Sequence, residues 1–152
     1  MNKDVIVTVG GLLCTTNGDG GEAENVEVIS PGEYFLKNGK HYVMFEEVAE
    51  EFSEPVRNLL KISSDQVSIR KRGLINTEMV FEKGGSTVSH YSTPFGALVL
   101  GIHARDLQVT EEESCIHVKV DYDLEINYEH MSDCSIQIKV QSKDEGGFSL
   151  TS

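Results

Sequence analysis

The sequence has no tryptophan, only three prolines and three cysteines, and 7% aromatic residues. Positive charge is also scarce: 13 Lys and Arg stand against 25 Asp and Glu, a formal net charge of −12. No apolar run approaches the roughly 20 residues that a membrane-spanning helix needs. Each shortage excludes something. The acidic excess repels phosphate backbones and anionic lipid, so neither a nucleic-acid nor a membrane partner is expected. Three cysteines leave one unpaired under any disulfide scheme, and Cys14, Cys115 and Cys134 fall in no Cys-x-x-Cys spacing. They read as small strand residues in a reducing compartment, the cytoplasm. The start is unlike a signal peptide, because Asp4 precedes a short apolar stretch that Gly10-Gly11 breaks.

What is present suits one globular domain. A chain of 152 residues with 39% hydrophobic and 25% charged side chains can bury roughly 68–70% of its unfolded surface around one core. The clearest periodicity runs from Cys115 to Tyr128. Ile116, Val118, Val120, Tyr122, Leu124, Ile126 and Tyr128 share one parity, while His117, Lys119, Asp121, Asp123, Glu125 and Asn127 share the other. Such alternation predicts a long half-buried strand, followed by a turn over Glu129 to Asp133 and a partner strand carrying Ile136, Ile138 and Val140. Asn38-Gly39 predicts a type I′ hairpin, since both turn positions need positive φ. A three-residue loop at Arg72-Gly73-Leu74 would place Val67 beside Met79 and Ile69 beside Thr77. Gly84-Gly85 turns the chain again, Pro94 ends the next strand, and Phe95 to Ala104 begins another. Glu46 to Glu54 reads as a solvated connection between strands, and Gly18 to Gly21 as a flexible loop. Nine or ten strands with a turn every eight to fourteen residues predict an all-β fold, a single antiparallel meander closing into a barrel. The barrel is expected over residues 1–141, with a frayed tail over 142–152.

Four motifs in order, Ile69-Arg70-Lys71-Arg72-Gly73, Met79-Val80-Phe81, Tyr91-Ser92-Thr93-Pro94-Phe95-Gly96 and Val120-Asp121-Tyr122-Asp123-Leu124, resemble the YwiB-like family of small bacterial proteins, from about Val5 to Gln141. Lys71 departs from that family's usual Arg-x-Gly turn. The resemblance implies a calycin-like barrel, related in shape to lipocalins, and no established activity.

No catalytic constellation stands out. A Gly-x-Ser-x-Gly elbow and a P-loop are missing. The histidines, His41, His90, His103, His117 and His130, show no metal-ligand spacing, and His117 and Asp121 lie about 13 Å apart along one strand face. Neither a metal nor another cofactor is expected, and an enzyme is disfavoured. Arg70, Lys71 and Arg72 form the one basic cluster and read as neutralising nearby acids.

The best-supported role is therefore a binding module that holds a small, partly apolar ligand inside the barrel. Interior candidates are Thr77, Met79, His90, Tyr91, Ser92, Thr93 and Tyr122. Two registers at Gly84-Gly85 stay open: one turns His90 and Ser92 inward, the other Tyr91 and Thr87. Ala97 and Gly101 would leave room inside. The alternative is an interaction protein with a filled barrel. The Asn38-Gly39 hairpin is apolar on both faces, and Tyr34, Leu36, Val43 and Phe45 are expected inside. Phe35, Tyr42 and Met44 would then form an outer patch for a homodimer or another partner.

Overall fold

The computed structural model describes residues 3–16, 27–47 and 54–143. It contains ten strands: β1 (Asp4–Thr16), β2 (Val28–Lys37), β3 (Lys40–Glu47), β4 (Val56–Ile62), β5 (Gln66–Arg72), β6 (Asn76–Glu82), β7 (Ser86–Thr93), β8 (Gly96–Glu112), β9 (Cys115–Ile126) and β10 (Glu129–Ser142). Each strand pairs with its neighbours in sequence, and β1 pairs with β10, so the meander closes as a barrel. All pairings are antiparallel. Closure removes both free edges. The expected tail begins too early, because Ser142 is the buried last residue of β10; residues 144–152 lie outside the described residues. So do the Gly18–Gly21 loop and residues 48–53 of the acidic connection.

Alternation decides the inside. Val5 and Val7, Val43 and Phe45, Leu60 and Ile62, Val67 and Ile69, Ile116 to Tyr122 at every second position, and Ile136 to Val140 form one buried cluster. Period-two burial leaves the intervening polar residues outside. Gly32 is closely approached by its neighbours: a Cβ there would lie 2.9 Å from the Met44 carbonyl oxygen and 3.2 Å from Val7. The barrel bends further at three irregularities in register, between Gly10 and Leu13 in β1, Ala104 and Asp106 in β8, and His130 and Ser132 in β10.

Two turns differ from the sequence reading, and a third resolves an open choice. The β5–β6 loop is Gly73-Leu74-Ile75, one position later than expected, and Asn76 hydrogen-bonds both the N–H and the carbonyl of Gly73. Val67 therefore pairs with Phe81 and Ile69 with Met79. The shift is two residues, so the parity survives. The β9–β10 turn lies at Asn127-Tyr128, with φ of 50° and 72°, and Glu129 to Asp133 is strand. The Asn127 side chain accepts a hydrogen bond from the Val99 N–H at 3.1 Å, and its own N–H donates to the Val99 carbonyl at 2.8 Å. These bonds hold a turn that has no glycine, and they leave Tyr128 78% exposed. At Gly84-Gly85 the register is settled by Thr77 opposite Tyr91. Tyr91 and Thr87 lie on the inner parity, whereas His90 and Ser92 turn outward; Ala97 and Gly101 are outward as well.

The β6–β7 seam is unusual. Its described backbone register covers only Asn76 with Ser92 and Thr77 with Tyr91. Beyond that point side chains take over. The Thr87 hydroxyl donates to the Val80 carbonyl at 2.6 Å, and the Ser89 hydroxyl donates to the Glu78 carbonyl. Cys134 is disulfide-bonded, which corrects the expectation of reduced cysteines; β1 places the Cα of Cys14 opposite it. Cys115 is free and buried. Burial raises its thiol above the ordinary value, with Lys139 opposing and Glu112 adding.

Candidate functional site

The two ends of the barrel are built differently. One end carries the turns after β5, β7 and β9 together with the C-terminal ends of β1 and β3. Here a single cross-strand row runs across five consecutive pairings on the inner face: Phe45 with Asn58, Asn58 with Lys71, Lys71 with Thr77, Thr77 with Tyr91, and Tyr91 with Leu98. Four of its six residues are polar. The row beneath it, Val43, Leu60, Ile69 and Met79, is apolar. The result is a polar mouth over an apolar floor.

Glu47, one step nearer the rim than Phe45, organises this mouth. Its Oε1 accepts from Asn58 Nδ2 at 2.9 Å and from Lys71 Nζ. Asn58 Nδ2 also donates to the Val56 carbonyl at 3.3 Å. The Asn58 carbonyl oxygen and the Thr77 hydroxyl are buried and have no partner, although their residues are only 3% and 7% exposed. Buried polar atoms are nearly always satisfied, so this pair stands out among the described residues. Tyr91 stands next in the row. Burial raises its phenol above the ordinary value, and the Glu47 charge adds to that. The Glu47 carboxylate is matched by the Lys71 ammonium.

The described hairpin tips of β5–β6, β7–β8 and β9–β10 at this mouth each carry an exposed apolar or aromatic side chain. Leu74 in the β5–β6 turn is 38% exposed, Phe95 in the β7–β8 turn 94% and Tyr128 in the β9–β10 turn 78%. Three successive tips on one rim thus present hydrophobic side chains to solvent.

At the opposite rim the lumen is bridged. The Tyr34 hydroxyl and His41 Nδ1 are 2.7 Å apart, and His41 Nε2 lies 3.0 Å from Glu111 Oε1. One tautomer fits both contacts: Nε2–H donates to the carboxylate and Nδ1 accepts from the phenol. His41 is on β3 and Glu111 on β8, which are five strands apart in either direction around the barrel. The contact therefore crosses the lumen and closes this end. Burial, then the Glu111 charge, raises the Tyr34 phenol. The tips here, Asn38-Gly39, Ser63 to Asp65, Lys83 to Gly85 and Glu113-Ser114, are polar.

Of the sequence candidates, Thr77 and Tyr91 belong to the polar row, and Met79 lies in the floor. Thr93 is half-buried near the rim and caps its turn, its hydroxyl donating to the Gly96 carbonyl at 3.1 Å. Tyr122 is buried deeper, its ring edge-on to Phe81 with centroids 5.0 Å apart. Burial pushes its phenol up to about 12. His90 and Ser92 do not belong to the site, because the settled register turns them outward. Asn58, Glu47 and Lys71 were missed. Lys71 was grouped with Arg70 and Arg72 as a basic cluster, yet strand alternation sends Lys71 inward to Glu47 and Arg70 outward to Glu78, 3.5 Å away.

Phe35, Tyr42 and Met44 lie on the outer face, opposite in parity to buried Tyr34, Val43 and Phe45. Leu36 shares the inner parity but reaches the rim and is 63% exposed. Lys3 stands over the Phe35 ring and Lys61 over the Tyr42 ring, each 5.7 Å from the centroid. Beside them lies an outer groove of about 900 Å³, floored by Pro31, Met44 and Leu59. Asp4, Glu33 and Glu46, and also Arg57, Arg70 and Arg72, line it. Asp123 and Asp133 face each other across β9 and β10. His130 Nε2 lies 3.1 Å from Asp133 and Arg105 lies 3.4 Å from Asp123; hydrogen bonding shared with Asp123, then with His130, holds the Asp133 carboxyl below its usual range. Among the described residues no helix is long and apolar enough to cross a membrane.

Comparison with known proteins agrees with this architecture. Over 120 residues the chain is 27% identical to the uncharacterized beta-barrel protein YwiB of Bacillus subtilis (strain 168), an alignment covering 78% of this chain and 83% of that protein. The fold superimposes on the crystal structure of the ywiB protein from Bacillus subtilis with a TM-score of 0.78 and 21% identity, covering 92% of each chain. The sequence also matches the family described as Domain of unknown function (DUF1934) across residues 13–138. Motif order, closed meander and family match converge, and the chain belongs to the DUF1934 family of β-barrel proteins.

Proposed function

We propose that this protein is a binding module that takes a small, uncharged, amphipathic molecule into the polar mouth of its barrel, in the manner of a calycin. The observation that carries this reading is the pair of unpartnered buried oxygens, Asn58 Oδ1 and Thr77 Oγ1. Asn58 Oδ1 accepts only, so the ligand brings an N–H or O–H donor. Glu47 is already matched by Lys71, so a net charge on the ligand would find no counter-charge in this row. The floor of Val43, Leu60, Ile69 and Met79 suits an apolar tail, and the exposed tips Leu74, Phe95 and Tyr128 give it a path of approach. Cytoplasmic residence fits the free Cys115 thiol, and thiol trapping of cell extracts would show whether the Cys134 disulfide persists there.

The test is native mass spectrometry of freshly purified protein, followed by amide-resolved NMR titration with short-chain alkyl amides and alcohols. Binding predicts shifts at Asn58, Thr77 and Tyr91, lost in Thr77→Val. Shifts confined to the outer groove, or none, would reject the mouth as the site.

A second reading rests on the outer groove. Its apolar floor lies beside Phe35, Tyr42 and Met44 and has both acidic and basic linings, so two copies could pair opposite charges across a two-fold axis. Tyr42→Glu, with light scattering as readout, separates this reading from the first: loss of a dimer with an intact fold supports it.

A further inference from the structure

We propose that Glu112, Cys115 and His117 form a site for one divalent ion of the zinc type on the outer face of the barrel, at the rim opposite the polar mouth. A carboxylate oxygen, the Cys115 sulfur and an imidazole nitrogen there lie within 4.8 Å of one another. Ligand atoms around a tetrahedral zinc ion are roughly 3–4 Å apart, given bonds of about 2.0–2.3 Å, so only small side-chain movements would bring the three onto one ion. Their placement follows from the hairpin. Glu112 and Cys115 are direct cross-strand partners flanking the two-residue turn Glu113-Ser114. His117 lies two residues on, so strand alternation returns it to the same face as Cys115. The turn is pinned from a third strand by the Ser142 N–H, which donates to the Ser114 carbonyl at 2.9 Å. The donors are thus on a braced hairpin rather than a loose loop, which is what a preformed site requires.

The donor set selects the ion. A thiolate and an imidazole exclude magnesium and calcium, which take oxygen ligands, and favour zinc, cobalt or copper. Three protein ligands leave a fourth position for water or another group. His117 also lines a groove of about 270 Å³ with Thr8, Thr110 and Lys139, so the ion would stand at its edge. Lys139, opposite His117, limits affinity for a cation but sits ready to pair with an anion on the open position. The second cluster of similar size, Asp123, His130 and Asp133, is different: Arg105 already neutralises Asp123, so it has no need of a cation.

The test uses cobalt(II) as a spectroscopic probe of the full-length oxidised protein. One equivalent should produce the charge-transfer absorption of a thiolate–cobalt bond, and zinc should displace it. Cys115→Ser should abolish the band. His117→Ala should weaken affinity by more than the roughly 10–100-fold that follows loss of an outer-sphere partner, while His103→Ala leaves it unchanged. Circular dichroism checks each variant's fold. If Cys115→Ser does not fold, zinc should still protect wild-type Cys115 from maleimide alkylation, read by peptide mass spectrometry. No thiolate band with excess cobalt, a band that survives Cys115→Ser, or alkylation indifferent to zinc would overturn the site.

Discussion

At one rim of the barrel Tyr34, His41 and Glu111 satisfy one another across the lumen; at the other, Asn58 and Thr77 each keep a buried oxygen without a partner. Among the described hairpin tips, those around the bridged rim are polar, and those of β5–β6, β7–β8 and β9–β10 at the other carry Leu74, Phe95 and Tyr128. An antiparallel barrel is stable when its inner face is filled, and the bridged half is filled with Phe81, Ile62, Ile116 and their neighbours. Departures from that logic are the unsatisfied buried oxygens of Asn58 and Thr77 and the exposed tips Leu74, Phe95 and Tyr128 at one end, although Leu36 at the bridged rim is also 63% exposed. Local violations of folding logic are the first places at which to look for a site. The comparison therefore teaches that one half of this barrel supplies stability and the other forgoes some of it.

The largest expected effect tests that division directly. Phe81 is wholly buried in the bridged half and Phe95 is 94% exposed at the mouth. Phe81→Ala should destabilise by about 3–5 kcal/mol through lost burial and a residual cavity. Phe95→Ala should stay within about 0.5 kcal/mol. Chemical denaturation of both variants measures the difference, and similar losses would mean that the two ends are not energetically distinct.

High pH should separate the halves next. Tyr122, against Phe81, has its phenol pushed up to about 12 by burial, while the unfolded phenol titrates near 10. A raised folded-state value contributes stability that is complete below the unfolded value and is lost as pH rises through the folded one. Stability should therefore fall between pH ~10 and ~12, by about 2–3 kcal/mol from this residue. Tyr91 in the mouth is shifted in the same direction, by burial and then Glu47. Melting curves of Tyr122→Phe and Tyr91→Phe should show a flatter high-pH limb for both, with Tyr122→Phe the flatter.

Much of this was legible in the sequence, and the failures have physical causes. Period-two alternation revealed β9, the inner and outer faces of β2 and β3, and hence the outward position of Phe35, Tyr42 and Met44, because parity is a local property. Asn38-Gly39 revealed its turn because few residue pairs accept positive φ twice. Asn127-Tyr128 was hidden, since the bonds that hold that turn come from Val99, 28 residues away. The Gly84-Gly85 register could not be decided locally, and half of the interior candidates at β7 depended on it. Asn58 was overlooked because a polar residue in Val56 to Ile62 reads as outward until its neighbours fix the parity. The lumen bridge was invisible for a stronger reason: His41 and Glu111 are separated by five strands of closed barrel, and no window of sequence contains both.

The bridge itself should yield a smaller effect. Glu111 has 55% of its side chain exposed while His41 has only 12%, so the ion pair is screened on one side. Glu111→Gln keeps a hydrogen-bond acceptor for His41 Nε2–H and removes the charge, and the cost should be about 0–1 kcal/mol. His41→Leu also leaves the Tyr34 hydroxyl without its partner, which raises the cost to about 1–3 kcal/mol. Amide exchange at Tyr34 and Val43 should accelerate in His41→Leu and not at Thr77 or Tyr91. Acceleration at both ends would show that the rims are coupled and the contrast is false.

The smallest expected effect has the opposite sign and bears most directly on function. Thr77 is 93% removed from solvent, and its hydroxyl has no partner in the ligand-free barrel. Valine has nearly the same shape with a methyl in place of that hydroxyl. Replacing a satisfied hydroxyl this way destabilises, because the abandoned partner is left unpaired. Here no partner is abandoned, and the desolvation cost of the hydroxyl is relieved instead. Thr77→Val should therefore raise stability by about 0.5–1 kcal/mol in the absence of ligand. Removing the Ser89 hydroxyl, which bonds the Glu78 carbonyl across the β6–β7 seam, should be destabilising as Ser89→Ala, since a part-buried carbonyl loses its donor. Urea denaturation with matched m-values reads both signs. If Thr77→Val destabilises as Ser89→Ala does, an ordered water already satisfies the hydroxyl and the mouth holds no spare hydrogen-bonding capacity. If it stabilises while removing the amide or alcohol titration response, the mouth exchanges stability for binding.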